Sequence, residues 1–262
     1  MRYADFKDSP SGHLVRTAFD HHAFVPNALP PELDMSQIAL DLADAMAAIG
    51  ELRGACRLLA NPYILIRPLQ RLEAQTSSAM EGTHTTADDL ILTEAGMEKS
   101  PSSEAVEVAD YARALSWAVA ELDRLPVSVR LMKGAHRILM EHASKGSGKD
   151  KQAGEFARDQ NLIGGSSIES ARFVLPPPPE TADAMSALEK YINRTRKSGT
   201  TPLIDIALVH YQFETIHPFA DGNGRLGRML ISLMAVSEGL LGLPVLYVSP
   251  ELEKQKDSYI DH

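Results

Sequence analysis

The chain has 262 residues, a formal net charge of −9 and one cysteine, with 44% hydrophobic and 6% aromatic residues. That length supports one sizeable domain or a core with an appended subdomain, and the negative balance argues against nucleic acid as the main partner. Cys56 alone excludes an internal disulfide, no run of about 18 apolar residues is present to span a membrane, and no apolar stretch between Met1 and Asp20 suggests a signal peptide, so a cytoplasmic location is expected.

Residues 1 to about 33 are rich in Pro, His and aromatic side chains and read as an arm draped over the body. His21 and His22 lack further spaced ligands, which argues against a metal site there. Ile38, Leu40, Leu42, Ala45, Met46, Ile49 and Leu52 predict a long helix from Met35 to Leu59, interrupted by Asn61-Pro62. Cys56 is a small apolar residue within it. A second helix is expected from about Pro68 to Glu81, closing on Ser77-Ser78-Ala79-Met80-Glu81-Gly82 with Gly82 as its cap. Glu81 then sits at the negative end of a helix dipole, where a carboxylate wants a cationic partner.

Further helices are expected at 87–95, 103–123 and 127–144. His136, beside Leu131, Ile138 and Leu139, reads as a satisfied core histidine. Lys145-Gly146-Ser147-Gly148-Lys149 is a flexible loop, because it lacks the spacing and the following helix of a phosphate loop. Between Asn161 and Leu175, Gly164-Gly165-Ser166-Ser167 is turn chemistry between short runs of strand formers and predicts a small β-hairpin. Pro176 to Pro179 suit a polyproline II exit. Helices at 181–197, 203–216, 223–238 and 250–261 complete an all-α chain with one hairpin. His210, in line with Leu203, Ile206 and Phe213, reads as a core histidine bracing its helix.

The densest chemistry is His217-Pro218-Phe219-Ala220-Asp221-Gly222-Asn223-Gly224-Arg225-Leu226-Gly227-Arg228. Leu226, Met229, Leu230, Leu233, Met234 and Val236 recur at helical spacing as far as Gly239, so this run is a loop feeding a helix N-terminus. Free amides and the positive end of the macrodipole suit phosphate there, and Gly222 and Gly224 allow close approach without a Cβ. Arg225 and Arg228 share one face in the first turns, where each cation costs about 0.3–1 kcal/mol unless an anion is supplied. Guanidinium forks match phosphate oxygens, which points to a di- or triphosphate. Asp221 can hold Mg²⁺ and His217 can accept a proton from a hydroxyl near neutral pH. Phe219 reads as the buried anchor of the loop. Base, metal ligand, anion site and charge clamp together describe phosphoryl-type transfer.

With every fixed position of His-Pro-Phe-x-Asp/Glu-Gly-Asn-Gly-Arg-x-x-Arg filled, residues 217–228 resemble the signature of the Fic (filamentation induced by cAMP) family. The resemblance implies a Fic-type helical bundle that uses Mg²⁺ and moves AMP from ATP to a Ser, Thr or Tyr hydroxyl of a target protein, as a nucleotidyltransferase. Carried over by position, His217 is the base and Asp221 the Mg²⁺ ligand. Asn223 with the Gly222 and Gly224 amides forms the α-phosphate site, and Arg225 and Arg228 hold the outer phosphates. Ser77 to Gly82 resembles the Ser/Thr-x-x-x-Glu-Gly/Asn inhibitory motif of the family, which implies autoinhibition by Glu81 paired with Arg228, with Ser77 and Gly82 completing the motif.

Residues 161–175 look like the family's flap, which implies that a target segment docks by strand addition around Gly164, Gly165, Ile168, Ala171 and Phe173. On this reading residues 1–100 form the arm and the region of the inhibitory helix, and residues 101–262 form the catalytic core with its flap. Gln255 stands where relatives commonly carry Asn, and the chain stops at His262 inside a helical pattern, so the expectation is either a fragment or a missing C-terminal domain. The implied partners are ATP and a hydroxyl-bearing target protein, without nucleic acid or membrane and with a homodimer left open. Alternatives are removal of AMP from a target, transfer of phosphate or phosphocholine, or a catalytically silent helical binding module. Doc-like members that transfer phosphate tend to carry Lys at the position of Gly224, so this glycine favours AMP.

Overall fold

The computed structural model of the chain opens on an antiparallel hairpin where the sequence suggested only a draped arm. The structure describes Met1 and residues 3–17, 20–97, 100–143, 152–195 and 201–261. The loop Lys145–Lys149 lies outside the described residues, and the helices expected to reach 144 and 197 end earlier, at Leu139 and Ile192. After a short helix α1 (Tyr3–Phe6), strands β1 (Gly12–Arg16) and β2 (His22–Pro26) pair in the register Gly12↔Pro26 to Arg16↔His22. The hairpin was hidden because Ala23, Phe24 and Val25 are all buried, which removes the alternation that marks a half-exposed strand. Gly12 permits the pairing, since a Cβ there would lie 2.3 Å from the Phe24 ring.

The helices follow: α2 (Ala39–Leu58), α3 (Tyr63–Met80), α4 (Ala87–Glu94), α5 (Ser103–Glu121) and α6 (Val129–Leu139). Thr86, Ser102 and Ser128 each start their helix by accepting a hydrogen bond from the backbone N–H three residues on. Helix α3 begins five residues before the expected Pro68 and takes that proline inside. The donor that Pro68 lacks leaves the Ile64 carbonyl without its helical partner, in a turn where Ile64 and Leu65 are exposed and water can serve instead. Strands β3 (Leu162–Ile163) and β4 (Phe173–Val174) form the expected hairpin, two residues to a side.

Helix α7 (Pro178–Ile192) starts on Pro178, so the polyproline II conformation expected for the whole run is kept at Pro177 (φ −61°, ψ 158°) and the last two prolines open a helix. Helices α8 (Pro202–Ile216), α9 (Asn223–Ser237), α10 (Ser249–Lys254) and α11 (Lys256–Asp261) complete the chain, the last two separated at Gln255. The fold is all-α, with two small hairpins among the described residues. Among those residues no helix is long and apolar enough to cross a membrane.

Helix α9 is the hub. Leu226, Met229, Leu230, Leu233 and Met234 are buried, as are Asn223, Arg225, Arg228 and Ser232. It packs against α3, α5, α6 and α8, so both its apolar and its polar faces are enclosed. Its N-terminus therefore opens in the middle of the molecule. Helix α2 is the opposite case: of its predicted apolar face only Ile49 is fully buried, while Leu40 and Met46 are exposed.

Candidate active site

Helix α8 ends where His217 adopts a left-handed conformation, φ 50° and ψ 58°, which costs a residue with a Cβ about 1–3 kcal/mol. Surrounding bonds hold it there. The Asn161 amide donates to the carbonyls of His217 (2.9 Å) and Phe219 (2.8 Å), on either side of Pro218. Asn223 accepts from the Phe219 N–H at 2.9 Å and donates to its carbonyl at 2.7 Å. Phe219 is 0% exposed and stacks on His136 with centroids 3.8 Å apart, as an anchor should.

His136 does more than fill the core. Its Nδ1 accepts from the Gly154 N–H at 2.8 Å, so the ring proton sits on Nε2 and donates to the Asp221 carbonyl at 2.9 Å. Burial pulls its pKa down to about 4, opposed by the Asp221 bond, and the ring stays neutral. At the entrance of α9, Gly222 has φ 74° and would place a Cβ 2.8 Å from Met140 Sδ, so only glycine fits the turn. The Gly222 N–H donates to Asp221 Oδ1 at 2.6 Å.

The two arginines do not share a face, which corrects the expectation from their spacing. Arg225 is tucked between α5 and α6, with Nη2 3.6 Å from Asp221 Oδ1 and Nη1 3.9 Å from Glu107 Oε2. Arg228, 2% exposed, turns to α3: Nε donates to Ser77 Oγ (2.9 Å), and Nη2 donates to the Ser77 carbonyl and to Glu81 Oε1 (both 2.8 Å). A helix enclosed on several sides assigns neighbouring turns to different partners, and three-residue spacing alone cannot choose between them.

Helix α3 aims Glu81 by the way it stops. The Gly82 N–H bonds back to the Ala79 carbonyl and the Thr83 N–H to the Ser78 carbonyl, both at 3.0 Å, with Gly82 at φ 89°. This is a Schellman closure, and it fixes the residue before the glycine. Lys256 Nζ donates to the Met80 carbonyl at 2.7 Å, supplying the cation that a helix C-terminus favours. Gly224 makes room opposite, since a Cβ there would lie 2.2 Å from Glu81 Oε1. Burial lowers the Arg228 pKa, but Glu81, Tyr259 and Glu214 outweigh it and the guanidinium is held charged. Behind the pair, the buried Glu73 carboxylate accepts from the Ser249 N–H (3.1 Å), Ser249 Oγ (2.5 Å) and Tyr111 OH (3.3 Å).

Burial pulls the His217 pKa down to about 4, against the opposing pull of Glu81 and of a bond to the Glu214 carbonyl. The ring is thus neutral at neutral pH, with one nitrogen carrying a proton and the other a lone pair. Its Nδ1 lies 3.7 Å from Glu214 Oε2. Glu214, Asn161, His136 and Glu73 were not marked as site residues by the sequence. Only Glu214 carried a usable signal, one helical turn ahead of His217.

The flap places its predicted residues unevenly. Gly164 has φ 71° and Gly165 would bring a Cβ 2.6 Å from the Ala171 nitrogen, so both glycines shape the turn. Ala171 is buried and accepts a bond from the Met1 ammonium. The Phe173 ring packs between Phe6 (5.5 Å) and Phe24 (5.7 Å), and Ile168 packs beside Ala171 and Val174. Ala171 and Phe173 therefore face the arm.

Asp221 offers one partly exposed carboxylate beside an anion-favouring helix entrance, which fits a Mg²⁺ ion held mainly by substrate phosphates. A second cluster, Asp110, Glu141 and His142, brings its ligand atoms within 4.8 Å. Arg113 bridges its two carboxylates at 2.5 and 2.7 Å, so that cluster is an ion-pair network.

Residues 39–120 match the family profile described as "Fic/DOC family N-terminal" and residues 126–235 match "Fic/DOC family". Curated relatives named "Protein adenylyltransferase Fic" from Drosophila ananassae and Drosophila virilis are 30% and 31% identical over 118 residues, 45% of this chain. The match spans only 21% and 22% of their lengths. A crystal structure of a Fic family protein from Desulfovibrio desulfuricans superposes with a TM-score of 0.64 at 25% identity, covering 83% of this chain and 64% of that one. A Fic domain containing signaling protein from Bacteroides thetaiotaomicron shares the fold with a TM-score of 0.65 at 21% identity, over 81% and 79% of the two chains. Fic-1 from C. elegans shares it with a TM-score of 0.62 at 20% identity, over 87% and 74%.

Proposed function

The chain belongs to the Fic family, and from that premise we propose that it is a protein adenylyltransferase that moves AMP from ATP to a Ser, Thr or Tyr hydroxyl of a target protein and is restrained by its own Glu81. The observation that carries the restraint is the 2.8 Å pair between Glu81 and the buried Arg228. A buried guanidinium left without an anion is costly, about 3–5 kcal/mol by the measure of broken buried pairs, so Arg228 holds whichever anion is present. Glu81 is 40% exposed on its side chain, so its own attraction is screened and a triphosphate can compete for the site.

In the transfer, His217 takes the proton from the target hydroxyl as its oxygen attacks the α-phosphorus, and pyrophosphate leaves. The neutral state of His217 suits a base. Amides at the α9 entrance receive phosphate oxygens, and Arg228, freed from Glu81, clamps the outer phosphates. Asp221 would hold Mg²⁺, which neutralises phosphate charge when bound. Gly224 supports AMP transfer with restraint rather than phosphate transfer, because a longer residue there would displace Glu81. A second reading is removal of AMP from a target, favoured by the influence of the Glu81 carboxylate on His217, where it would orient a water.

The test is incubation of the full chain with Mg²⁺, cell lysate and ATP labelled at the α- or the γ-phosphate. Glu81→Gly is expected to raise protein-bound α-label at least about tenfold, and Glu81→Gly with His217→Ala to abolish it. Incorporation of γ-label would replace AMP transfer by phosphorylation. A single variant no more active than the parent would remove the restraint.

A further inference from the structure

We propose that Glu214 is a positioning residue for the base: its carboxylate, one turn before His217, orients the imidazole and stabilises the imidazolium formed when Nε2 accepts the target's proton. The inference rests on His217 acting as the base in the transfer proposed above. His217 caps α8 three residues after Glu214, and Glu214 Oε2 lies 3.7 Å from His217 Nδ1. The Glu214 backbone carbonyl also bonds the ring, while Glu214 Oε1 is buried without a hydrogen-bond partner among the described residues. The neighbouring helix is shaped around this side chain, because a Cβ on Gly227 of α9 would lie 2.1 Å from Glu214 Oε1.

Several charged and titratable groups face the carboxylate. Glu81 comes from α3, Arg228 from α9 and Tyr259 from α11. On its own helix is His210, one turn earlier, which bonds the Gly227 carbonyl, and His217 caps that helix. Burial pushes the Glu214 pKa up to about 7, with Arg228 opposing and Glu81 adding to the rise. A carboxyl poised there changes charge in the range where the base must work.

The chemistry follows from the two ring nitrogens. As the target oxygen bonds to the α-phosphorus, the bond from that phosphorus to the bridging oxygen breaks, and pyrophosphate leaves with the electron pair. The hydroxyl proton needs a lone pair at Nε2, which requires the other proton to be on Nδ1 beforehand. The bond from the ring to the Glu214 carbonyl accounts for that tautomer, and an ionised Glu214 side chain offsets the developing charge. Protonated, it does not. Loss of Glu81 removes one group that raises the Glu214 pKa, so the carboxyl ionises at lower pH in the unrestrained protein.

The experiment compares Glu81→Gly with Glu81→Gly/Glu214→Gln, reading the His217 titration by NMR and AMP transfer by α-label kinetics. The glutamine is expected to lower the His217 pKa by about one pH unit and kcat by about tenfold, with KM for ATP unchanged. It should also remove the ionisation through which kcat rises with pH. Glu214→Asp, which keeps the charge, is expected to restore most of kcat, as a purely packing role would not. An identical His217 titration in the glutamine variant overturns the proposal, as does a loss confined to KM. Absence of AMP transfer in Glu81→Gly itself would count against the function, while the titration still decides the role of Glu214.

Discussion

Burial assigns the histidines of this chain different duties. His136 and His210 are both held near pKa 4 by burial, and both use their nitrogens to brace backbone carbonyls, at Asp221 and Gly227. The unfolded value is about 6.5, so between about pH 6.5 and 4 the unfolded chain binds more protons than the folded one. Their contribution is fully present above that window and is lost as the pH falls through it. For His136 the loss is expected to be on the order of 1–3 kcal/mol, measured as a drop in urea midpoint between about pH 7.5 and 4.5. His136→Gln, which keeps a donor for the Asp221 carbonyl, should shrink that drop.

At the scale of elements, α3 is a ruler. Glu73, Ser77 and Glu81 are spaced four apart and fall on one stripe, which meets Ser249 of α10 at one end and Arg228 of α9 at the other. Glu73 lies two turns from Glu81 on that stripe, so its bonds to Ser249 form a strut placed to position the proposed restraint. Ser249→Ala leaves a buried carboxylate short of a donor and is expected to cost about 1–3 kcal/mol in denaturant unfolding. If the strut holds the restraint in place, the same variant raises basal α-label incorporation toward that of Glu81→Gly. The catalytic loop has a second set of braces from outside α8 and α9, namely Asn161 at the flap and His136 on α6.

Across the whole molecule, the arm and the flap form one packed unit, with Phe24 in contact with Phe6 and Phe173 and the Asn27 carbonyl bonded by Gln212 of α8. Phe24→Ala is expected to cost about 3 kcal/mol of stability by urea unfolding, because the deleted ring leaves a cavity in a well-filled site. The sequence alone determined what is local. Twelve adjacent residues carried the proposed base, the proposed metal ligand and the helix entrance, and the period of Leu226 to Met234 located the helix behind them. Gly82 foretold the stop of α3, because a left-handed cap needs no distant partner. Tertiary structure decided whatever depends on which surfaces meet. The Glu81–Arg228 pair joins residues 147 apart, and the sequence suggested it only through family resemblance. Arg225 and Arg228 diverge because α9 is enclosed by different helices, and the strand at Ala23 to Val25 lost its alternation because both its faces are covered. Glu214 gains its role from a glycine on another helix. Periodicity shows that a side chain lies on a face, whereas the packing of other elements fixes what that face touches.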